Sequence, residues 1–127
     1  MSGVIHLDTN VLIFATDAKH PVREALRDWR AQGSTLAVSA MAWAEFACGP
    51  ASPALLKSWE QLLGTNIITV DKATADLAAS LFNHTGRRSR SLPDCLIAAT
   101  ALLHKARLAT LNRADFEPML KHGLILA

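Results

Sequence analysis

The sequence VIHLDTNVLIF, residues 4–14, is an apolar segment interrupted by the polar triplet Asp8, Thr9 and Asn10. The residues before the triplet are apolar and partly β-branched, which predicts a buried strand. The residues after it are typical of the first turns of a helix, with Thr9 or Asn10 as its N-cap. Asp8 then lies at the carboxyl end of a strand, where open α/β sheets bind their ligands. An ionised carboxylate among so many apolar residues needs a compensating positive group.

Strands and helices alternate along the rest of the chain. Strands are predicted at residues 4–7, 36–38, 66–70, 107–110 and 124–126, and helices at residues 11–15, 21–32, 41–48, 53–63, 71–83 and 91–103, with a short helical turn within residues 112–120. Glycine and proline end several of these segments, for example Gly49 and Pro50 after the third helix. The alternation predicts a three-layer α/β fold in which helices flank a parallel sheet.

The composition indicates one globular domain over residues 1–127. Hydrophobic residues make up 50% of the chain and charged residues 19%, which excludes a disordered protein. The net charge of +2 is compatible with a polyanionic partner without requiring one. No apolar run reaches the roughly 18 residues of a membrane helix, and Asp8 interrupts the apolar start that a secretory signal would need. We expect a soluble, cytoplasmic protein with two free, buried thiols, Cys48 and Cys95.

Three carboxylates lie in apolar sequence, where an ionised side chain is rarely buried without a partner. Asp8 ends the first strand, Glu45 is the only charged residue in MAWAEFAC, and Asp94 opens the most apolar helix. Each has a structural alternative: Asp8 as a helix cap, Asp94 as a complement to a helix dipole, and Glu45 as an outward-facing side chain.

The positions of these carboxylates in the chain bring them together. Asp8 and Glu45 follow strands and Asp94 begins a helix that leads to the next strand, so right-handed crossovers place all three at one edge of the sheet. Clustered carboxylates raise one another's pKa values unless a cation lies between them. An all-oxygen site suits Mg²⁺ or Mn²⁺, whereas the five histidines lack the paired spacing of a zinc site. The sequence therefore predicts a divalent-metal site.

The segment LATLNRADF, residues 108–116, supplies a fourth group of polar side chains. Thr110 closes the fourth predicted strand, so its hydroxyl and Asn112 can reach the same edge. Asp115 either completes the acidic set or caps the short helical turn that follows it.

In these segments the chain resembles the PIN-domain ribonucleases, specifically the VapC toxins of bacterial toxin–antitoxin pairs. The matching segments are LDTNVLI (residues 7–13), VSAMAWAEF (38–46), PDCLIAATA (93–101) and ATLNRADF (109–116). The resemblance implies a parallel sheet of about five strands with helices on both faces.

The resemblance also implies roles for the polar residues. Those roles are metal coordination for Asp8, Glu45 and Asp94, membership of the same motif for Thr9 and Asn10, and supporting hydroxyls for Ser39 and Thr110. The fourth position of the family, Asp or Asn, is Asn112 here, which weakens the direct ligand set and leaves Asp115 as the additional acid.

The activity implied by the resemblance is Mg²⁺-dependent endoribonuclease cleavage, with Mn²⁺ as a substitute, leaving a 5′-phosphate and a 3′-hydroxyl. The implied partners are an RNA substrate and a VapB-like antitoxin, in a homodimer or a toxin–antitoxin hetero-oligomer. RNA bound beside an acidic pocket needs cations, and Arg87, Arg88 and Arg90 just before Asp94 are the candidates. A solvated basic loop is the alternative for each of them.

Two other functions fit parts of the sequence. A haloacid-dehalogenase-like phosphatase would use Asp8 as a nucleophile, but such enzymes carry a second acid two residues later, where this chain has Asn10. A non-catalytic PIN-like binding module would have a degenerate acidic cluster, and Asn112 is the one feature that suggests it.

Overall fold

A parallel four-stranded sheet forms the centre of the protein, seen in a computed structural model that describes residues 3–49 and 51–127. The strands are β1 (Gly3–Leu7), β2 (Ser34–Ser39), β3 (Ile67–Ile68) and β4 (Arg107–Ala109), in the order β3-β2-β1-β4. β1 pairs with a strand on each side, and Ile5 and Leu7 are fully buried. The apolar segment that opens the chain therefore forms an interior strand, as predicted.

The sheet has four strands rather than about five, because the segment at residues 124–126 forms only a single bridge, between Leu126 and Leu108. Two hydrogen bonds join it to β4, from the Leu108 N–H to the Ile125 carbonyl (2.9 Å) and from the Ala127 N–H to the Leu108 carbonyl (2.8 Å). Gly123, at φ 102°, turns the chain immediately before this segment. The third strand is also shorter than predicted, with only Ile67–Ile68 paired at the edge of the sheet.

The helices match the predicted segments closely. They are α1 (Thr9–Phe14), α2 (Pro21–Ala31), α3 (Ala40–Ala47), α4 (Pro53–Leu63), α5 (Lys72–His84), α6 (Leu92–Leu103), α7 (Arg113–Phe116) and a 3₁₀ helix (Glu117–His122). α6 buries residues all round, as its uniformly apolar sequence predicts. The predicted stop after α3 includes Pro50, which lies outside the described residues.

Helices cover both faces of the sheet. His6 and Ala37 pair in register, so their side chains lie on the same face of the sheet. The His6 ring contacts His104 at the end of α6, which shows that α6 covers that face. The neighbouring pair, Leu36 and Ile5, points to the opposite face, because successive residues of a strand alternate. Leu36 lines a groove there between α2 and α4. The predicted three-layer α/β fold is confirmed.

The two cysteines are free, but only one is buried. Cys95 lies in the core, as expected, whereas Cys48 is exposed, so the expectation for it was wrong. Cys48 is the C-cap of α3 and follows the last buried turn of that helix. Within the described ranges, no helix combines the length and apolar character needed to cross a bilayer.

A pair of histidines is buried beside the centre of the sheet. The Nε2 of His6 lies 2.7 Å from the Nδ1 of His104, and the His6 side chain is fully buried. Burial, followed by the charge of His104, lowers the pKa of His6 from 6.5 to about 4. His6 therefore stays neutral in the folded protein at pH values where the same residue in the unfolded chain takes up a proton.

This pair predicts a loss of stability in acid. Between pH 6.5 and 4 the unfolded chain binds the additional proton, so the free energy of unfolding falls as the pH falls through this window. The contribution of His6 amounts to about 3 kcal/mol, at about 1.4 kcal/mol per pKa unit. Chemical denaturation at pH 7 and pH 4 should show a smaller pH-dependent loss in His6→Leu than in the wild type. The exposed His122→Leu is the control, and an unchanged pH dependence in His6→Leu would contradict the prediction.

Candidate functional site

Asp8 lies at the carboxyl end of β1 and is only 5% exposed. Both of its carboxylate oxygens accept hydrogen bonds: Oδ1 from the Thr9 backbone N–H (2.8 Å) and Oδ2 from the Thr110 hydroxyl (2.7 Å). Asp8 is also the N-cap of α1, so the predicted cap at Thr9 or Asn10 was wrong. The capping bond uses one oxygen, and the rest of the carboxylate faces the polar edge of the sheet.

Glu45 lies on α3 and faces α1 rather than solvent. The Thr9 hydroxyl donates a hydrogen bond to its Oε1 at 2.7 Å, which excludes the outward-facing alternative. Ser39 is buried at the end of β2 and caps α3 by accepting a hydrogen bond from the Ala42 N–H (3.1 Å). Ser39 therefore acts on the site by fixing where α3 begins, about a turn and a half before Glu45.

Asp94 occupies the first turn of α6 and is half-buried. Its pKa is raised to about 6, chiefly by burial and then by the negative charges of Asp8, Asp115 and Glu45. The positive charge of Arg88 opposes this rise. Four carboxylates from four parts of the chain are thus close enough to act on one another.

The pKa of Asp8 is also raised, and burial is again the largest cause. The hydrogen bonds from Thr110 and Thr9 oppose the rise, while the charges of Glu45 and Asp115 add to it. Asp8 and Asp94 therefore both resist ionisation in the folded protein.

Asp115 is held beside the cluster by Asn112. The Nδ2 of Asn112 donates to Oδ2 of Asp115 at 2.5 Å, and the Asn112 N–H donates to the Thr110 hydroxyl at 3.0 Å. Asp115 lies within α7, of which Asn112 is the N-cap residue, so Asp115 does not cap the helix that follows. Asn10 contributes from the other side, because its Oδ1 accepts a hydrogen bond from the Leu111 N–H (3.1 Å).

The three arginines before α6 do not form one cationic surface. Arg88 turns inward and donates from Nη2 to the Asp115 carbonyl at 3.0 Å. Arg87 packs over the Phe82 ring, 5.3 Å from its centroid, and donates to Asn83. Arg90 is exposed. The sequence does not distinguish these three arginines, because no neighbouring residue indicates which of their side chains turns inward.

Most of the predicted site residues meet at one edge of the sheet. Hydrogen bonds or electrostatic interactions connect Asp8, Thr9, Glu45, Arg88, Asp94, Thr110, Asn112 and Asp115. Asn10 and Ser39 fix the surrounding backbone, and Arg87 and Arg90 lie outside the cluster.

The donor set suits a hard cation in its chemistry. All four acids offer oxygen ligands, and their mutual repulsion is the kind that a divalent ion relieves. Among residues 3–49 and 51–127, no three His, Cys, Asp or Glu side chains are already arranged as a metal site. Several of these oxygens also accept hydrogen bonds within the protein, which orient the carboxylates.

Comparisons with known proteins identify the fold and its relatives. Residues 5–117 match the family model of the PIN domain. A chain in a toxin–antitoxin complex from Klebsiella pneumoniae is 30% identical, with a TM-score of 0.72, over 89% of this chain and 90% of that one. VapBC2 from Rickettsia felis, bound to a DNA fragment from its promoter, gives 20% identity, a TM-score of 0.73 and coverage of 98% and 97%. VapBC-1 from nontypeable Haemophilus influenzae gives 20% identity, a TM-score of 0.71 and coverage of 98% and 96%. No curated protein matches.

The repulsion within the cluster predicts that removing one charge stabilises the metal-free protein. Asp94→Asn should raise the free energy of unfolding at pH 7 by about 1–2 kcal/mol, after allowance for solvent screening. The raised pKa means that the folded protein binds the additional proton between pH 3.8 and about 6. The ionised carboxyl therefore destabilises the fold above this window, and the gain should vanish below pH 4.

Denaturant titrations of the wild type and Asp94→Asn at pH 4 and pH 7 measure this difference. Asp76→Asn is the matched control, because Asp76 is an exposed acid whose ion pair with Lys72 contributes little. A variant that is less stable than the wild type at pH 7 would contradict the repulsion described here.

Proposed function

Because the chain belongs to the PIN domain family, whose members are nucleases, we propose that it is a metal-dependent endoribonuclease and the toxin of a VapBC-type pair. The observation that carries the proposal is the electrostatic interaction of Asp94 with three other carboxylates at the carboxyl edge of the sheet. A cluster of this kind suits phosphodiester hydrolysis, in which a divalent cation offsets the charge of the phosphate.

The metal in this proposal is Mg²⁺, with Mn²⁺ as a substitute. Asp8 and Asp94 would hold it, with Glu45 and Asp115 beside them directly or through water. When bound, such an ion supplies Lewis-acid stabilisation of the phosphate and lowers the pKa of a water molecule.

The chain's own residues perform the remaining steps. Thr9 and Thr110 hold the Asp8 carboxylate in one orientation, and the Thr9 hydroxyl does the same for Glu45. A carboxylate of the cluster would accept a proton from the attacking water. Attack on phosphorus with departure of the 3′ oxygen, which takes up a proton from the cluster or from solvent, would leave a 5′-phosphate and a 3′-hydroxyl.

The two alternative functions have less support. The oxygen of Asn10, where a phosphatase of the haloacid-dehalogenase type would carry its second acid, accepts a hydrogen bond from the Leu111 backbone. A degenerate binding module would have lost part of its acidic cluster, whereas this chain keeps four neighbouring carboxylates. Arg87 and Arg90 remain the predicted contacts to RNA phosphates.

An antitoxin partner is supported by the relatives, three of which are toxin–antitoxin or VapBC structures. A groove of about 460 Å³ between α2 and α4 offers a place for it. One wall carries three exposed arginines at helical spacing, Arg23, Arg27 and Arg30, and the other carries Leu55, Trp59 and Leu62. Since this surface combines positive charge with an apolar wall, its occupant is an amphipathic, acidic segment of the antitoxin.

The proposed activity predicts cleavage of a structured RNA by the purified protein in the presence of Mg²⁺ and none in EDTA. Asp94→Asn should fold normally and lose at least about 100-fold in cleavage rate, because it removes a charged ligand of the proposed ion. Gel analysis of a 5′-labelled RNA measures the rate and the ends. Asp76→Asn should cleave like the wild type, and a fully active Asp94→Asn would refute the assignment.

The proposed groove predicts selective binding of an acidic helix. A 16-residue amphipathic peptide with leucines on one face and glutamates on the other should bind, and the same peptide with lysines should not. Arg27→Glu should weaken binding about tenfold or more, because repulsion replaces attraction. Fluorescence anisotropy of the labelled peptide measures this.

Lys57→Glu is the matched control, since Lys57 is exposed on α4 and does not line the groove. Equal binding of both peptides would overturn the groove assignment. So would displacement of the acidic peptide by a short single-stranded RNA, which would identify the arginine wall as an RNA surface.

A further inference from the structure

We propose that Arg88 is a positioning residue, which anchors the segment carrying Asp115 to the loop before α6 and supplies the positive charge built into the carboxylate cluster. This inference rests on the proposed function, because it assigns a task to a residue of the same site. It separates Arg88 from Arg87 and Arg90, whose side chains lie outside the cluster.

The anchoring is a hydrogen bond between two segments far apart in sequence. Nη2 of Arg88 donates to the Asp115 carbonyl at 3.0 Å, across 27 residues of chain. Asp115 is then held twice, by its carbonyl through Arg88 and by its carboxylate through Asn112. Losing the Arg88 bond would free α7 at the point where Asp115 and Asn112 face the cluster.

The backbone of the loop fixes the direction of Arg88. The Arg88 carbonyl accepts hydrogen bonds from both the N–H (3.1 Å) and the hydroxyl (2.8 Å) of Ser91. Arg87 and Arg90, on either side, have φ values of 49° and 65°, in the left-handed region that non-glycine residues rarely adopt. These two residues constrain the backbone from which the Arg88 side chain extends toward the Asp115 carbonyl.

The burial of Arg88 argues against a direct contact with substrate. Its Nε is fully buried and has no hydrogen-bond partner among the described residues, while the residue as a whole is half-buried. A guanidinium that swung out to a phosphate would have to break its bond to Asp115. The desolvation of Nε is offset in place by the surrounding negative charge, above all that of Asp94.

The electrostatic interactions agree with this location. Arg88 lowers the pKa of Asp94 and also opposes the rise in the pKa of Cys95, the next residue of α6. It is therefore close enough to offset part of the repulsion among the carboxylates before any metal ion binds.

The test compares three variants: Arg88→Met, Arg88→Lys and, as a matched control from the same loop, Arg90→Met. Thermal unfolding is followed without and with 5 mM Mg²⁺. Without Mg²⁺, Arg88→Met should lower the Tm by about 5 °C, and Arg90→Met should leave it unchanged. Mg²⁺ should raise the Tm of Arg88→Met more than that of the wild type, because the ion replaces the missing positive charge. The Tm of Arg88→Lys without Mg²⁺ should lie between those of Arg88→Met and the wild type. Arg88→Lys serves as the test variant if Arg88→Met does not fold.

Cleavage kinetics separate positioning from substrate binding. Arg88→Met should reduce kcat about tenfold with little change in KM, whereas Arg90→Met should mainly raise KM. An unchanged Tm with a raised KM in Arg88→Met would overturn the proposal and identify Arg88 as a phosphate contact. An equal Mg²⁺-induced Tm shift in Arg88→Met and the wild type would overturn the claim that Arg88 supplies positive charge to the carboxylate cluster. If the wild type cleaves no RNA, the proposed function fails, while the Tm measurements still decide the role of Arg88.

Discussion

Electrostatic repulsion among four carboxylates is the constraint that the rest of the structure has to satisfy. Asp8 is nearly fully buried, and the pKa of Asp94 is raised by burial and then by the charges of three other acids. The fold holds them together because each is attached to a rigid element: a central strand for Asp8, α3 for Glu45, the first turn of α6 for Asp94 and α7 for Asp115. An arrangement that is unfavourable for the protein alone would be relieved by a divalent cation, which is the ion that the proposed function requires.

Thr9 shows how few residues this arrangement needs. Its backbone N–H satisfies one oxygen of Asp8 and its hydroxyl satisfies one oxygen of Glu45, so one residue joins β1, α1 and α3. Capping a helix and serving a metal site are therefore not competing explanations for Asp8. The capping bond orients the carboxylate, and the Thr110 hydroxyl fixes it from the far side of the sheet edge.

The convergence of Asp8, Glu45 and Asp94 could be predicted from sequence because it depends on chain order and strand direction alone. In a parallel sheet, residues that follow strands reach the same edge whatever the details of their side chains. The cap at Ser39 also has a local signal, since its partner, the Ala42 N–H, lies three residues away. Features of these two kinds are local or fixed by topology, so a sequence can reveal them.

The features that the sequence did not reveal depend on contacts between distant segments. Arg88 meets Asp115 across 27 residues, and the sequence RRSR does not show which arginine turns inward. Nothing near His6 in the sequence indicates that its ring contacts His104, which lies 98 residues later. The last strand was predicted from an apolar triplet, but residues 124–126 form only a single bridge to β4, and Ile125 is left 61% exposed.

The short helix α1 connects the carboxylate cluster with the groove between α2 and α4. It begins at the Asp8 cap and ends beside Ala15, which lines the groove, and its six residues span about 9 Å. The two surfaces also differ in charge, since the groove carries three arginines and the cluster four carboxylates. One partner can match both only if its own charge changes sign along its length, from acidic in the groove to basic at the carboxylates.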